Sequence, residues 1–236
     1  NIKKILESSE KINNLNSNIS NYELKLIAVN SQNKFFNIDD VILFNKLTNN
    51  NFPPKMEIKI NEIGLNENRG IVPVIDGKIL NQLKIPVSKM YKEFLDNCFD
   101  FQLREDENGL FKYLLELILL YSNKPSIFFN KLKQENLLEK YIPELLDMDK
   151  TLQNPIHHPE GSVYNHTMQV IDNAVFYRDS AENKYEFMFS ALCHDFGKVS
   201  TTTINEDGKI ISYNHEKHTE ESEQFLERLK IREKSK

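Results

Sequence analysis

The sequence predicts a mainly α-helical protein with one small β-hairpin, and three observations carry that reading. Apolar residues recur at steps of three and four along most of the chain, the spacing that lays them on one face of a helix. Glycine and proline are scarce, at 7 and 8 of 236 residues. One stretch departs from the helical period, with β-branched runs on either side of Glu206-Asp207-Gly208, a turn sequence.

Taken in order, the first 70 residues are rich in asparagine and lysine and carry no functional signal. An extended segment is expected near Gly70 to Ile75. Tyr91, Phe94, Leu95, Cys98, Phe99 and Leu103 form an apolar stripe and predict a helix with one face on a core. The polar run Arg104-Glu105-Asp106-Glu107-Asn108 reads as a solvated linker. Leu110 to Leu120, Ile127 to Leu132 and Val163 to Phe176 continue the helical period. Phe187, Met188 and Ala191 predict a buried helix leading into Cys193-His194-Asp195-Phe196-Gly197-Lys198. The hairpin pairs Thr201–Ile204 with Ile210–Tyr213. The chain therefore divides into a first part, 1–108, and a second part, 109–236, which splits further into 109–150 and 151–236.

Composition narrows the class. With 39% hydrophobic and 28% charged residues the chain has material for a core, which excludes wholesale disorder. A net charge of −5 excludes a strongly basic coat for nucleic acid, though not a local basic groove. The most apolar run, Leu114 to Tyr121, is far short of a membrane span and contains Glu116. No secretory signal is expected, and the two distant cysteines, Cys98 and Cys193, suit a reducing compartment. A cytoplasmic protein without a membrane partner is the expectation.

All six histidines lie in the second part: His157, His158, His166, His194, His215 and His218. Imidazole and carboxylate are the usual ligands of first-row transition metals, and carboxylate also suits Mg²⁺. His194 and Asp195 stand at the predicted end of one helix, where both can turn toward one ion. Gly197 there fits a C-terminal position of positive φ. His166 lies early in the helix Val163–Phe176, so His166, His194 and Asp195 form a three-ligand set. Lys198 is placed either to neutralise a phosphate oxygen or to cap the helix end. His215 either binds a second metal, touches phosphate or caps a helix. His215 and His218 are three apart, the spacing of one helical face. His218 otherwise reads as solvated. His157 and His158 line a pocket or form the turn before Pro159. Glu160 orients a ligand histidine or is an exposed turn charge.

This pattern resembles the HD phosphohydrolase superfamily, whose members hold a divalent metal with a His, a His-Asp dyad and a distal Asp. The segment Gln153-Asn154-Pro155-Ile156-His157-His158-Pro159-Glu160-Gly161-Ser162-Val163-Tyr164-Asn165-His166-Thr167 is similar to the start of the HD domain in bacterial tRNA nucleotidyltransferases, the CCA-adding enzymes. Phe128-Phe129 through Leu137-Leu138-Glu139-Lys140-Tyr141-Ile142-Pro143-Glu144-Leu145 resembles the helical neck before it, and Asn214-His215-Glu216 the segment after the hairpin. The resemblance implies an HD-type helical bundle, with 109–150 as neck and 151–236 as HD core.

No nucleotidyltransferase head is evident. Asp147-Met148-Asp149 has carboxylates but no glycine turn, and reads as a helix-end loop. The segment order is also inverted. Val72-Pro73-Val74-Ile75-Asp76-Gly77-Lys78-Ile79-Leu80 and on to Phe101-Gln102-Leu103 resembles the tail that follows the HD domain in the family. Circular permutation, a cut from a tandem and joined fragments each account for that order. Leu26-Ile27-Ala28-Val29-Asn30 resembles the helix that brings the distal Asp, so residues 1–50 would complete the HD core. The residue at that position is Asn30, whose amide oxygen is a weaker ligand than a carboxylate.

Two functions follow. The first is a metal-dependent phosphohydrolase using Mg²⁺, Mn²⁺, Co²⁺ or Ni²⁺. By resemblance it would act on nucleotide or RNA-end phosphoesters of the 2′,3′-cyclic phosphate or 2′-phosphate class, with Lys198 and His215 stabilising developing charge. The second is a non-catalytic module that handles RNA or tRNA beside a separate nucleotidyltransferase partner. A homodimer is the other expected assembly.

Overall fold

A computed structural model describes residues 7, 19–31, 38–48, 54–65 and 71–230. Helices dominate, and a single two-stranded sheet occurs among the described residues. The chain divides into two compact units, Asn1–Ile75 with Asp96–Glu107, and Asp76–Leu95 with Asn108–Lys236.

In the first unit, α1 (Asn21–Ser31), α2 (Ile38–Thr48) and α3 (Pro54–Glu62) bury Leu24, Val41 and Ile60 completely. The start of α1 is a reciprocal capping box. The Ser20 backbone N–H donates to Glu23 Oε2 at 2.9 Å, and the Glu23 N–H donates to Ser20 Oγ at 3.2 Å. This arrangement satisfies two N–H groups that a helix start otherwise leaves unpaired. Asn30 is exposed on α1.

Residues 76–95, expected to belong with 1–108, pack instead with the second unit. Asp76 caps α4 (Gly77–Gln82) by accepting from the N–H groups of Lys78 and Ile79. The boundary between units falls within α5 (Tyr91–Arg104), the helix of the predicted stripe, in which Phe94, Cys98 and Leu103 are buried. The expected linker is a tight turn: α5 ends at Arg104, Glu105 takes a positive φ of 58°, and α6 (Glu107–Tyr121) begins two residues later. The Glu105 and Asp106 N–H groups return to the carbonyls of Gln102 and Phe101, which closes the helix end and leaves no room for an extended segment.

The second unit continues through α7 (Ser126–Gln134), α8 (Leu138–Tyr141) and α9 (Pro143–Lys150). Asp147-Met148-Asp149 lies in the last turns of α9 rather than in a loop, because Met148 is a fully buried anchor of that helix. Next come α10 (Val163–Arg178) and α11 (Lys184–Cys193), which pack on each other more extensively than any other pair of elements. Between α9 and α10 the loop is pinned at its base. Gln153 N–H donates to Gly161 O at 3.1 Å and Val163 N–H to Thr151 O at 2.9 Å. A positive φ of 93° at Gly161 lets the chain turn back there.

After α11 come the short helix α12 (Lys198–Thr201), strands β1 (Thr202–Ile204) and β2 (Ile210–Ser212), a 3-10 turn at His215–Lys217, and α13 (Glu220–Arg228). The strands pair antiparallel, Thr203 opposite Ile211. Gly208, with φ of 76°, closes the turn, donating its N–H to Asn205 O at 2.9 Å. No strand forms at 71–75; Gly70 lies outside the described residues.

Candidate metal centre

Two helix ends build the site. His166 is the fourth residue of α10, whose start is fixed by Ser162 Oγ accepting from the Asn165 N–H. His194 and Asp195 follow the last residue of α11. Close packing of α10 on α11 brings a helix start and a helix end together, and with them the three expected ligands. One nitrogen or oxygen from each of His166, His194 and Asp195 lies within 4.8 Å of the others.

Asp195 is the centre of the arrangement, with its side chain only 3% exposed. Its Oδ2 lies 2.8 Å from Lys198 Nζ, 3.2 Å from His194 Nε2 and 3.7 Å from His166 Nε2. His215 Nε2 is 3.3 Å from the other oxygen. The second nitrogen of each histidine is already engaged. His166 Nδ1 is 2.7 Å from Glu160 Oε1, His194 Nδ1 is 2.9 Å from Ala191 O, and His215 Nδ1 is 2.8 Å from Ser212 O. A carbonyl oxygen only accepts, so the Nδ1 of His194 and of His215 carries the hydrogen. The same holds for His166 against an ionised Glu160. That leaves the Nε2 of each ring as the nitrogen facing the Asp195 carboxylate.

The Oδ2 of Asp195 is buried without a hydrogen bond of acceptable geometry, its contacts being close in distance only. Two imidazole nitrogens and a buried carboxylate oxygen with unused capacity suit a divalent first-row ion. The residues fit the group.

The electrostatics point the same way. Burial opposes charge on Asp195, but His194 and Lys198 outweigh it and hold the carboxyl far below its ordinary range. Burial is the main influence on His166 and lowers its pKa, against the pull of Glu160 and Asp195. Glu160 is lowered to about 2, first by its own backbone N–H and then by His158 and His166. Glu160 thus serves as a shared acceptor, with His158 Nδ1 at 3.0 Å as well.

Several expectations need correction. Lys198 is buried, and its ammonium lies against Asp195 and at 2.8 Å from Gln153 Oε1, turned away from any incoming phosphate. It opens a short helix rather than capping α11. Gly197 has an ordinary φ of −63°, so positive φ is not what it provides. A Cβ there would strike the carbonyl oxygens of His215 and His218; glycine is what lets that segment lie against the turn. His215 and His218 share no helical face, since the 3-10 turn ends before His218 and leaves it exposed. His157 is exposed in the turn, while His158 joins the Glu160 network. Sequence reasoning missed Gln153, a buried partner of Lys198; its place at the head of the His157-His158 block was the available signal.

Beside the centre is a cavity of about 560 Å³, with His194 and His215 on its wall together with Tyr185, Glu186, Phe189 and Ser190 of α11.

The chain is similar to multifunctional CCA proteins. It is 35% identical over 99 residues to the one from Mannheimia succiniciproducens, covering 42% of this chain and 23% of that protein. It is 32% identical over 111 residues to the one from Actinobacillus pleuropneumoniae serotype 5b, covering 47% and 26%. Against the protein from Methylococcus capsulatus the identity is 38% over 77 residues, covering 33% and 17%. The similarity thus spans about a quarter or less of these relatives' length. No family model matches the chain. No solved structure matches it either. No helix among the described residues is long and apolar enough to cross a membrane.

Proposed function

We propose that the second unit is a metal-dependent phosphohydrolase acting on nucleotide or RNA-end phosphoesters of the 2′,3′-cyclic phosphate or 2′-phosphate class. The observation that supports it most is the convergence of His166, His194 and His215, each with Nδ1 committed elsewhere, on the buried carboxylate of Asp195. His166, His194 and Asp195 would hold a divalent ion such as Mg²⁺, Mn²⁺, Co²⁺ or Ni²⁺. When bound, the ion supplies an activated water and polarises a phosphoryl oxygen.

The chain's own residues do the rest. Glu160 fixes the tautomer and ring orientation of His166. Lys198 keeps Asp195 ionised from the buried side, so it acts through Asp195 and not on substrate. His215 lines the cavity and lies against Asp195, which places it beside a phosphoryl oxygen held there. Similarity to CCA proteins favours an RNA end, tRNA included, as the source of the phosphoester, with the cytoplasm as the setting.

The test is hydrolysis of 2′,3′-cyclic AMP by the full chain, scanned across the four metals, with His194→Ala in parallel. Metal-dependent turnover that disappears in the variant is the expected result. RNA binding that falls steeply with salt, with no turnover under any metal, would replace this reading with an RNA-handling module, alone or beside a nucleotidyltransferase partner.

A further inference from the structure

The cavity beside the metal centre has a chemistry of its own. Its volume of about 560 Å³ lies within the range of small-molecule sites, roughly 300–1,000 Å³. One side carries the half-buried ring of Tyr185, which packs on the buried Phe189 a helical turn away on α11, with centroids 4.6 Å apart. The opposite side comes from α13 and the turn before it, and includes Ser222 and Leu226. The wall next to the metal centre is His194 and His215. The two carboxylates on the lining, Glu186 and Glu216, are both exposed.

We propose that this cavity takes a single nucleoside, with its base against Tyr185 and its phosphoester turned to His194 and His215. The inference rests on the phosphohydrolase reading and deepens it by naming which part of the substrate is held where. A flat base presents a π-face to an aromatic ring whatever its identity, which suits a mainly apolar pocket with few polar groups. Ser190 and Thr219 are among the hydrogen-bonding groups on the lining that could meet the base edge or ribose.

The experiment separates this site from the metal. Binding of adenosine to the full chain is followed by NMR in the presence of EDTA, and Co²⁺ binding is measured separately by its visible absorption. Adenosine is expected to bind without metal. Ser190→Trp, at an exposed lining position, is expected to abolish that binding while Co²⁺ still binds. Tyr185→Ala is expected to weaken adenosine about tenfold, and Tyr185→Phe to restore it. Displacement of adenosine by adenosine 2′,3′-cyclic phosphate alone assigns the cavity to free nucleotides. Displacement also by a short RNA bearing that end assigns it to RNA termini. Adenosine that fails to bind, or binds equally to Ser190→Trp, overturns the cavity assignment even where Co²⁺ binds. Loss of Co²⁺ binding with adenosine binding intact overturns the metal reading instead.

Discussion

The two units use their interiors differently. In the first, Leu24, Val41 and Ile60 are fully buried, and polar groups pair near the surface, as Tyr22 does with Asp100 at 2.7 Å and Asp100 with Arg104. In the second, every buried polar or charged residue among those described is found, from Ser122 to Lys198. Some of these close the fold. Arg178 donates to the carbonyls of Leu119 and Ser122 at the end of α6, both at 2.9 Å, which neutralises a helix C-terminus. Asp195 and Lys198 instead pair with each other at 2.8 Å, with Gln153 on the lysine and three histidines on the carboxylate. Burying a charge is costly unless it is paired. The first unit is packed from apolar side chains, whereas the second also buries a compensated ion pair beside its histidines.

The largest effect that would test this contrast is Asp195→Ala. Removing the carboxylate leaves the Lys198 ammonium buried against Gln153 alone, a loss of about 4 kcal/mol in stability together with loss of Co²⁺ binding. Adding Lys198→Met should recover most of the stability and none of the metal binding. Urea denaturation and Co²⁺ titration measure both. If the single variant is as stable as the parent, Asp195 is not the buried charge described here.

In the first unit, Ile60→Ala removes a fully buried side chain from α3 and should cost about 3 kcal/mol with Co²⁺ affinity unchanged. A matched loss of metal affinity would contradict the division of labour between the units.

A subtler probe is Glu160→Gln, which keeps the shape but not the charge of the acceptor shared by His158 and His166. Metal affinity should fall about 10- to 100-fold while the urea midpoint barely moves. An unchanged Co²⁺ titration would make Glu160 an ordinary turn residue.

The smallest effect lies in the first unit. Burial pushes the Cys98 thiol up to about 11, above its unfolded value of about 8.5. The folded state therefore holds the proton that the unfolded state releases between those values. The contribution is fully present below about pH 8.5 and is lost as pH rises toward about 11. Cys98→Ala should flatten the alkaline limb of stability against pH, and a thiol reagent at neutral pH should label Cys98 only after unfolding.

Much of this organisation was legible because it is local. Asp207-Gly208 marks a hairpin, and period-3.6 stripes mark buried faces. Those features depend on residues a few positions apart. His166, His194 and Asp195 were recognisable by spacing and by the surrounding pattern. The roles of Gly197 and Lys198 were not. The reason Gly197 must be glycine lies in two carbonyl oxygens about twenty residues away, at His215 and His218. Whether a lysine meets phosphate or a buried carboxylate depends on what packs over it, here Gln153, some forty residues earlier.

The sequence alone determined the helical class, the hairpin, the absence of a long apolar run and the identity of three candidate ligands, because periodicity and turn chemistry act within a few residues. Tertiary structure decided which nitrogen of each histidine is free, that Asp195 is buried at the centre, that Glu160 serves two histidines, and that a cavity lined by Tyr185 and Phe189 opens on the site. Each of these depends on α10 packing against α11 and on the 152–162 loop folding back. Such contacts between distant segments are set by burial and shape complementarity, which no short stretch of sequence encodes.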